Sequence, residues 1–324
     1  MASLHARNAP FMNLPPPSPP HPTTLSDRAA DGQTTRRIQV VHQTRYHYEL
    51  AVSQSWQLAH LRPRHGGSQS LLSHSLEITP RPDWVDERAD YFGNPVTAFA
   101  IHSPHVGLDV TARSTLDLAP APPDSLALMQ PWQGAMLTPD ARTAYELAQY
   151  LVPSPQVPCS PCATRYAARS FRTGTPFLAA LQDFAARIHR DFAFDASATT
   201  VTTPLAEVFE RRRGVCQDFA QLMIAGLRGV GVPARYVSGY ILTNPPPGKP
   251  RLIGADASHA WVSAWCAGQG WIDIDPTNAR RVDQDFVTLG WGRDFSDVTP
   301  LRGVILGGGE QELEARVTVS PLQT

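Results

Sequence analysis

Residues 203–275 run through two helical segments and then three strand-like ones, with no strand between the helices. That order excludes a parallel sheet built from strand–helix–strand crossovers and makes this half of the chain an α+β unit. TPLAEVFERRRG (203–214) reads as a helix opened by Thr203-Pro204, and a second helix begins at Cys216 and stops near Gly229-Val230-Gly231. RYVSGYILT, HAWVSAWCA and GWIDIDP then alternate as strands. Upstream, 176–192 places Leu178, Leu181, Phe184, Ala185 and Ile188 at helical spacing, and TPDARTAYELAQYLVP forms a helix between Thr138-Pro139 and Pro153.

The first half has a different texture. IQVVHQTRYHYEL, SHSLEITP and VGLDVTARSTLDLAP are rich in β-branched and alternating apolar residues, and Gly93-Asn94-Pro95 marks a turn between two further strands. A small all-β domain, an antiparallel sandwich or sheet, is expected over 37–120. APAPPDS (119–125) is a linker, because clustered prolines fit neither a helix nor a central strand. The expected organisation is a Pro-rich arm (1–36), the β domain (37–120), a linker and helix (121–170), an α+β core (171–282) and a C-terminal extension (283–324) packed on that core. The arm shows the composition of a disordered segment, or else translation starts near Arg36 or Arg37.

Charge narrows the partners. The 324 residues carry 28 basic and 29 acidic side chains, a net charge of −1, so no nucleic acid is expected as partner. No apolar run has the length of a membrane span, and no secretory h-region opens the chain. Four cysteines in so long a chain make no disulfide framework, so free thiols and a cytoplasmic location are expected.

The cysteine in RRRGVCQDFAQLMIAGLRGVG therefore needs another account: small core residue, metal ligand or nucleophile. Cys216 stands at a helix start, where unpaired N–H groups and the dipole favour a thiolate and can stabilise an oxyanion. Such a nucleophile needs a proton shuttle held by a third group. In SHAWVSAWCAGQGWIDIDPTN, His259 opens one strand and Asp275 ends the next, with the AGQG turn joining them as a hairpin. Asp273 shares a strand face with Asp275 and rivals it for the third role. Asp218 reads as an acidic first-turn residue.

RGVCQDFAQLMIAGLRGVGVPARYVSGY, SHAWVSAW and GWIDIDPTN together resemble the core of the transglutaminase-like superfamily. TRYHYELAVSQS, LRPR and DYFGNPV resemble the N-terminal region of its bacterial members, and GRDFSDVTPLRGVILGGG is similar to the same subgroup. The resemblance spans about residues 37–320 and implies a papain-like, helices-on-antiparallel-sheet core. It also implies Cys216 as nucleophile, His259 as general base and acid, and Asp275 as the carboxylate orienting the histidine. Gln221 departs from the pattern, since many relatives have histidine there.

The expected activity is cysteine-dependent acyl transfer on peptide or glutamine amides through a thioester, with hydrolysis ahead of amine cross-linking. A non-catalytic peptide-binding scaffold is the rival. A peptide or protein substrate is expected, with no membrane partner, no cofactor and no metal; nothing fixes an oligomeric state. Cys159 and Cys162 form a CxxC that lacks the second ligand pair of a zinc site and reads as two loop thiols. Cys266 receives no role. Gly307-Gly308-Gly309 lacks the lysine and context of a phosphate loop. Arg211, Arg212 and Arg213 either line the approach to Cys216 or form a solvated helix end. His42, His47, His60, His65 and His74 are scattered and read as surface or packing residues.

Overall fold

A computed structural model describes residues 35–121, 123–134, 140–243 and 258–322. The chain starts in a long strand, β1 (Arg36–Ala59), followed by β2 (Gln69–Thr79), β3 (Trp84–Ala89), β4 (Pro95–Ile101) and β5 (His105–Leu118). These make an antiparallel sheet in the order β2-β5-β1-β4-β3, the all-β region expected. The Gly93-Asn94-Pro95 turn between β3 and β4 is tied by Asp90, whose carboxylate accepts the N–H groups of Phe92 and Asn94 (both 2.8 Å).

Four helices come next: α1 (Ala141–Ala148), α2 (Pro161–Ala168), α3 (Phe177–Asp191) and α4 (Leu205–Arg211). Asp140 caps α1 by accepting the Thr143 N–H, while the expected Thr138-Pro139 start lies outside the described residues. Helix α2 falls in the stretch read as a linker; Ser160 caps it and Pro161 supplies the first turn. The central helix, α5 (Cys216–Gly229), is buried from Asp218 to Arg228, so it is apolar nearly all round. A two-residue parallel bridge joins β6 (Ala193–Phe194) to β7 (Arg213–Gly214) just before it.

Strands β8 (Ala234–Ile241), β9 (Ser258–Cys266), β10 (Gly270–Asp275), β11 (Arg280–Arg281) and β12 (Phe286–Gly292) build a second antiparallel sheet, ordered β11-β10-β9-β8-β12. Its inner face presents Ala234, Tyr236, Ala260, Val262, Ala264, Ile272 and Ile274 to Phe184, Leu222 and Met223 of the helices. Each large apolar side chain buried this way stabilises the fold by roughly 2 kcal/mol.

The C-terminal extension is a correction. Only β12 joins the core sheet, whereas β13 (Leu301–Gly307) and β14 (Gln311–Pro321) pair with β1 and complete a seven-stranded first sheet. The cause is patterning: Val317 and Val319 alternate inward onto Ile38, Val40, Leu116 and Leu118, with Tyr240, Val287 and Leu289 of the second sheet in the same cluster. The glycine cluster is the hairpin turn between them, since Gly307, Gly308 and Gly309 all have positive φ, 92°, 94° and 65°. Residues 34–324 accordingly form one compact unit, and the 37–120 and 171–282 regions share a core.

Candidate active site

Three side chains separated by up to 59 positions meet at the start of α5 and the paired ends of β9 and β10. Cys216 is the first helical residue, with Val215 extended before it. The turn is fixed by Asp218, whose Oδ2 accepts the Val215 N–H (2.8 Å) and the Thr199 hydroxyl (2.6 Å). Gly214 is required for this arrangement, because a Cβ there would stand 2.6 Å from Asp218 Oδ2. Burial raises the Asp218 carboxyl above its ordinary range despite those two hydrogen bonds. The first-turn amides of α5, that of Cys216 included, are the four a helix leaves without intrahelical partners.

Ile274 pairs with Val262, which puts Asp275 diagonal to His259 on one face of the hairpin. His259 Nε2 donates to Asp275 Oδ2 at 2.8 Å. The rest of the carboxylate is occupied as well: Oδ1 accepts the Thr277 N–H (2.8 Å), and Oδ2 accepts Asn278 Nδ2 (2.6 Å). Asp275 is fully buried, and its hydrogen bonds and the His259 charge outweigh burial and hold it below the usual carboxylate range. Burial pulls the His259 imidazole down, yet hydrogen bonds to Asp275 and to the Cys216 side chain, with their charges, raise it to about 10. With Nε2 given to Asp275, Nδ1 is the nitrogen left for the sulfur.

Register also separates the two rival carboxylates. Asp273 pairs with Ser263, two pairs further into the hairpin from His259, and makes no hydrogen bond to the histidine. Asp275 is the residue in contact.

The superfamily's bacterial N-terminal region matches residues 38–117, and the transglutaminase-like superfamily core matches residues 164–276. An uncharacterized protein of Mycobacterium tuberculosis (strain H37Rv) is 40% identical over 298 residues, covering 89% of this chain and 94% of that protein. The chain belongs to the transglutaminase-like superfamily. The crystal structure of a candidate cysteine protease from Cytophaga hutchinsonii shares the fold, with a TM-score of 0.70 at 20% identity over 90% of this chain and 92% of that one. A protein-glutamine gamma-glutamyltransferase of Pseudomonas aeruginosa is 41% identical over 71 residues, 22% of this chain and 11% of that protein.

Where this transglutaminase-like chain departs from the pattern, a compensating partner is present. Gln221 is buried and donates to Gln156 Oε1 (2.7 Å), which also takes Gln217 Nε2 at 3.4 Å. The Gln156 N–H donates in turn to the buried Asp294 (2.8 Å). Arg228 fixes this segment against α5 by donating to Val152 O and Ser154 Oγ, both at 3.1 Å. Gln156 carried no signal in the sequence, whereas Asn278 and Asp294 stood within the quoted DPTN and GRDFSDVTP and only their roles went unread.

The remaining sequence candidates lie apart from this centre. Cys159 and Cys162 are both exposed: Cys159 lies in the loop before the Ser160 cap, as expected, whereas Cys162 is in the first turn of α2, where Arg165 donates to its Sγ at 3.4 Å. Cys266 is buried on the inner sheet face, where burial pushes its thiol up to about 11. Arg212 stacks on Phe209 and Phe192, at 4.3 and 4.6 Å, while Arg211 pairs with Glu207 and Arg213 with Asp195. His42 bonds the Tyr240 hydroxyl (2.8 Å), His74 bonds Ser114, His60 bonds Thr299 O, and His65 accepts the Leu71 N–H.

Proposed function

We propose that the chain is a cysteine-dependent acyl-transfer enzyme whose nucleophile, proton shuttle and orienting carboxylate are Cys216, His259 and Asp275. One observation carries the reading: His259 is held between a half-buried thiol and a fully buried carboxylate that has no other charged partner among the described residues. His259 takes the Cys216 proton and becomes an imidazolium stabilised by Asp275. The sulfur attacks an amide carbonyl of a peptide or protein, and first-turn N–H groups of α5 receive the oxyanion. His259 then protonates the leaving amine, which departs as the thioester forms. Water attacks the thioester to regenerate the thiol and release an acid.

Water as acceptor accords with the description of the Cytophaga protein as a candidate cysteine protease. Local identity to the Pseudomonas gamma-glutamyltransferase favours a second reading, in which a primary amine takes the acyl group. A cytoplasmic location belongs to the proposal and is checked by fractionating cells that carry a tagged chain.

Two assays test it. Iodoacetamide at pH 6 is expected to modify Cys216 ahead of the exposed Cys159 and Cys162; equal labelling would remove the activated nucleophile. Ammonia release from glutamine peptides and peptide-bond cleavage are then compared with and without a primary amine, using Cys216→Ala as control. Release accelerated by the amine, with covalent incorporation, would overturn hydrolysis in favour of transfer.

A further inference from the structure

Asp273 is left without a catalytic task, and its surroundings show another use. Arg235, Ser263 and Asp273 stand side by side across β8, β9 and β10, since Arg235 and Asp273 both pair with Ser263. All three carry a buried polar atom with no hydrogen-bond partner among the described residues: Arg235 Nε, Ser263 Oγ and Asp273 Oδ1. Buried polar atoms are rarely left unpaired, and three in one row mark a site built to meet something else.

A cavity of about 410 Å3 opens between the loop at residues 64–69 and the outer face of the sheet, with Asp273 the member of this row in its lining. Its volume is in the range of small-ligand sites. Trp271 and Trp291 line it and hold the Arg235 guanidinium between them, 4.2 and 3.8 Å from the ring centres. Arg64, also in the lining, stacks on Trp291 at 3.5 Å. Burial draws each guanidinium down only to about 10, so both are cations at neutral pH. Asp273 and Asp283 line the cavity as well, and Asp273 is near enough to Arg235 for their charges to interact. The lining thus combines one guanidinium, two carboxylates and two indoles.

We infer that this cavity binds a small zwitterion, a free amino acid or short peptide, with its carboxylate toward Arg64 and its ammonium on Asp273. An anion alone would leave Asp273 Oδ1 unmet, and a cation alone would leave the Arg64 charge unmet. Water would supply hydrogen bonds without opposite charge. A molecule carrying both charges meets Arg64 and Asp273 at once, while its body lies on the indoles. Phe286 lines the cavity and lies 6.1 Å, ring centre to ring centre, from His259, so an occupant sits directly behind the catalytic histidine.

The two tryptophans report occupancy without turnover, so the test stands apart from the catalytic reading. Cys216→Ala protein is titrated by tryptophan fluorescence with L-alanine, L-alanyl-L-alanine, and the N-acetylated and C-amidated form of each. A saturable change is expected with the amino acid or the dipeptide, and which of them gives it names the source. Blocking either end should weaken binding roughly tenfold or more, as should Asp273→Asn. No saturation with either zwitterion at millimolar concentration overturns the inference, and so does equal binding of the blocked forms. The blocked ligands decide the matter on an unaltered cavity even if Asp273→Asn fails to fold.

Discussion

The two faces of the five-stranded sheet differ more from each other than the two sheets do. Ala260, Val262, Ala264, Ile272 and Ile274 face the helices and carry only packing. His259, Ser263, Asp273 and Asp275 alternate with them along the same two strands and carry every polar group of interest. A period of two thus lets one hairpin place its packing residues on one face and the proposed catalytic groups on the other. The division has a cost on the outer face, where buried polar atoms must find partners. Asp275 finds His259, Thr277 and Asn278; Asp273 Oδ1 finds none among the described residues.

Mutations can break that division or sharpen it. The largest effect belongs to the outer face: His259→Ala should lower kcat for amide hydrolysis by about 10^4-fold while leaving the near-UV circular dichroism intact. Residual activity within tenfold of wild type would detach the outer face from the chemistry. On the inner face Ile272→Ala should cost about 3 kcal/mol in urea denaturation, with kcat of the folded fraction changed little.

At the seam between the sheets, His42 sharpens the comparison through pH. Burial lowers its pKa from 6.5 to about 4, so the unfolded chain takes up the proton first. Stability that is full above pH 6.5 is therefore lost as pH falls toward 4, by up to about 3 kcal/mol. His42→Gln should flatten that acid limb in denaturation curves recorded across this window. The smallest effect is expected at Cys266, whose replacement by alanine should cost about 1 kcal/mol and leave alkylation of Cys216 unchanged.

Local signals made much of this legible. The alternation in HAWVSAW and GWIDIDP and the turn between them each act within a few residues, and they announced the hairpin. Contacts that depend on distant chain left no such mark. Gln156 reaches Gln221 across 65 positions, and Val40 of β1 pairs with Val319 of β14. Choosing between Asp273 and Asp275 needed the register, because the strand face alone treats them alike. The start of α2 was readable in principle, as Ser160-Pro161 is a cap followed by a first-turn proline, but the prolines before it masked the signal.

The length of β1 sets an order of events during synthesis. Its first half lies between β5 and β14, so one flank is open until the final strand is made. The superfamily core, encoded in between, emerges from the ribosome while the first sheet still has a bare edge of unpaired amides and carbonyls. A chain cut before Gln311 would keep Cys216, His259 and Asp275 and yet present that edge to its neighbours. Loss of the last strand should therefore appear as self-association before it appears as lost chemistry.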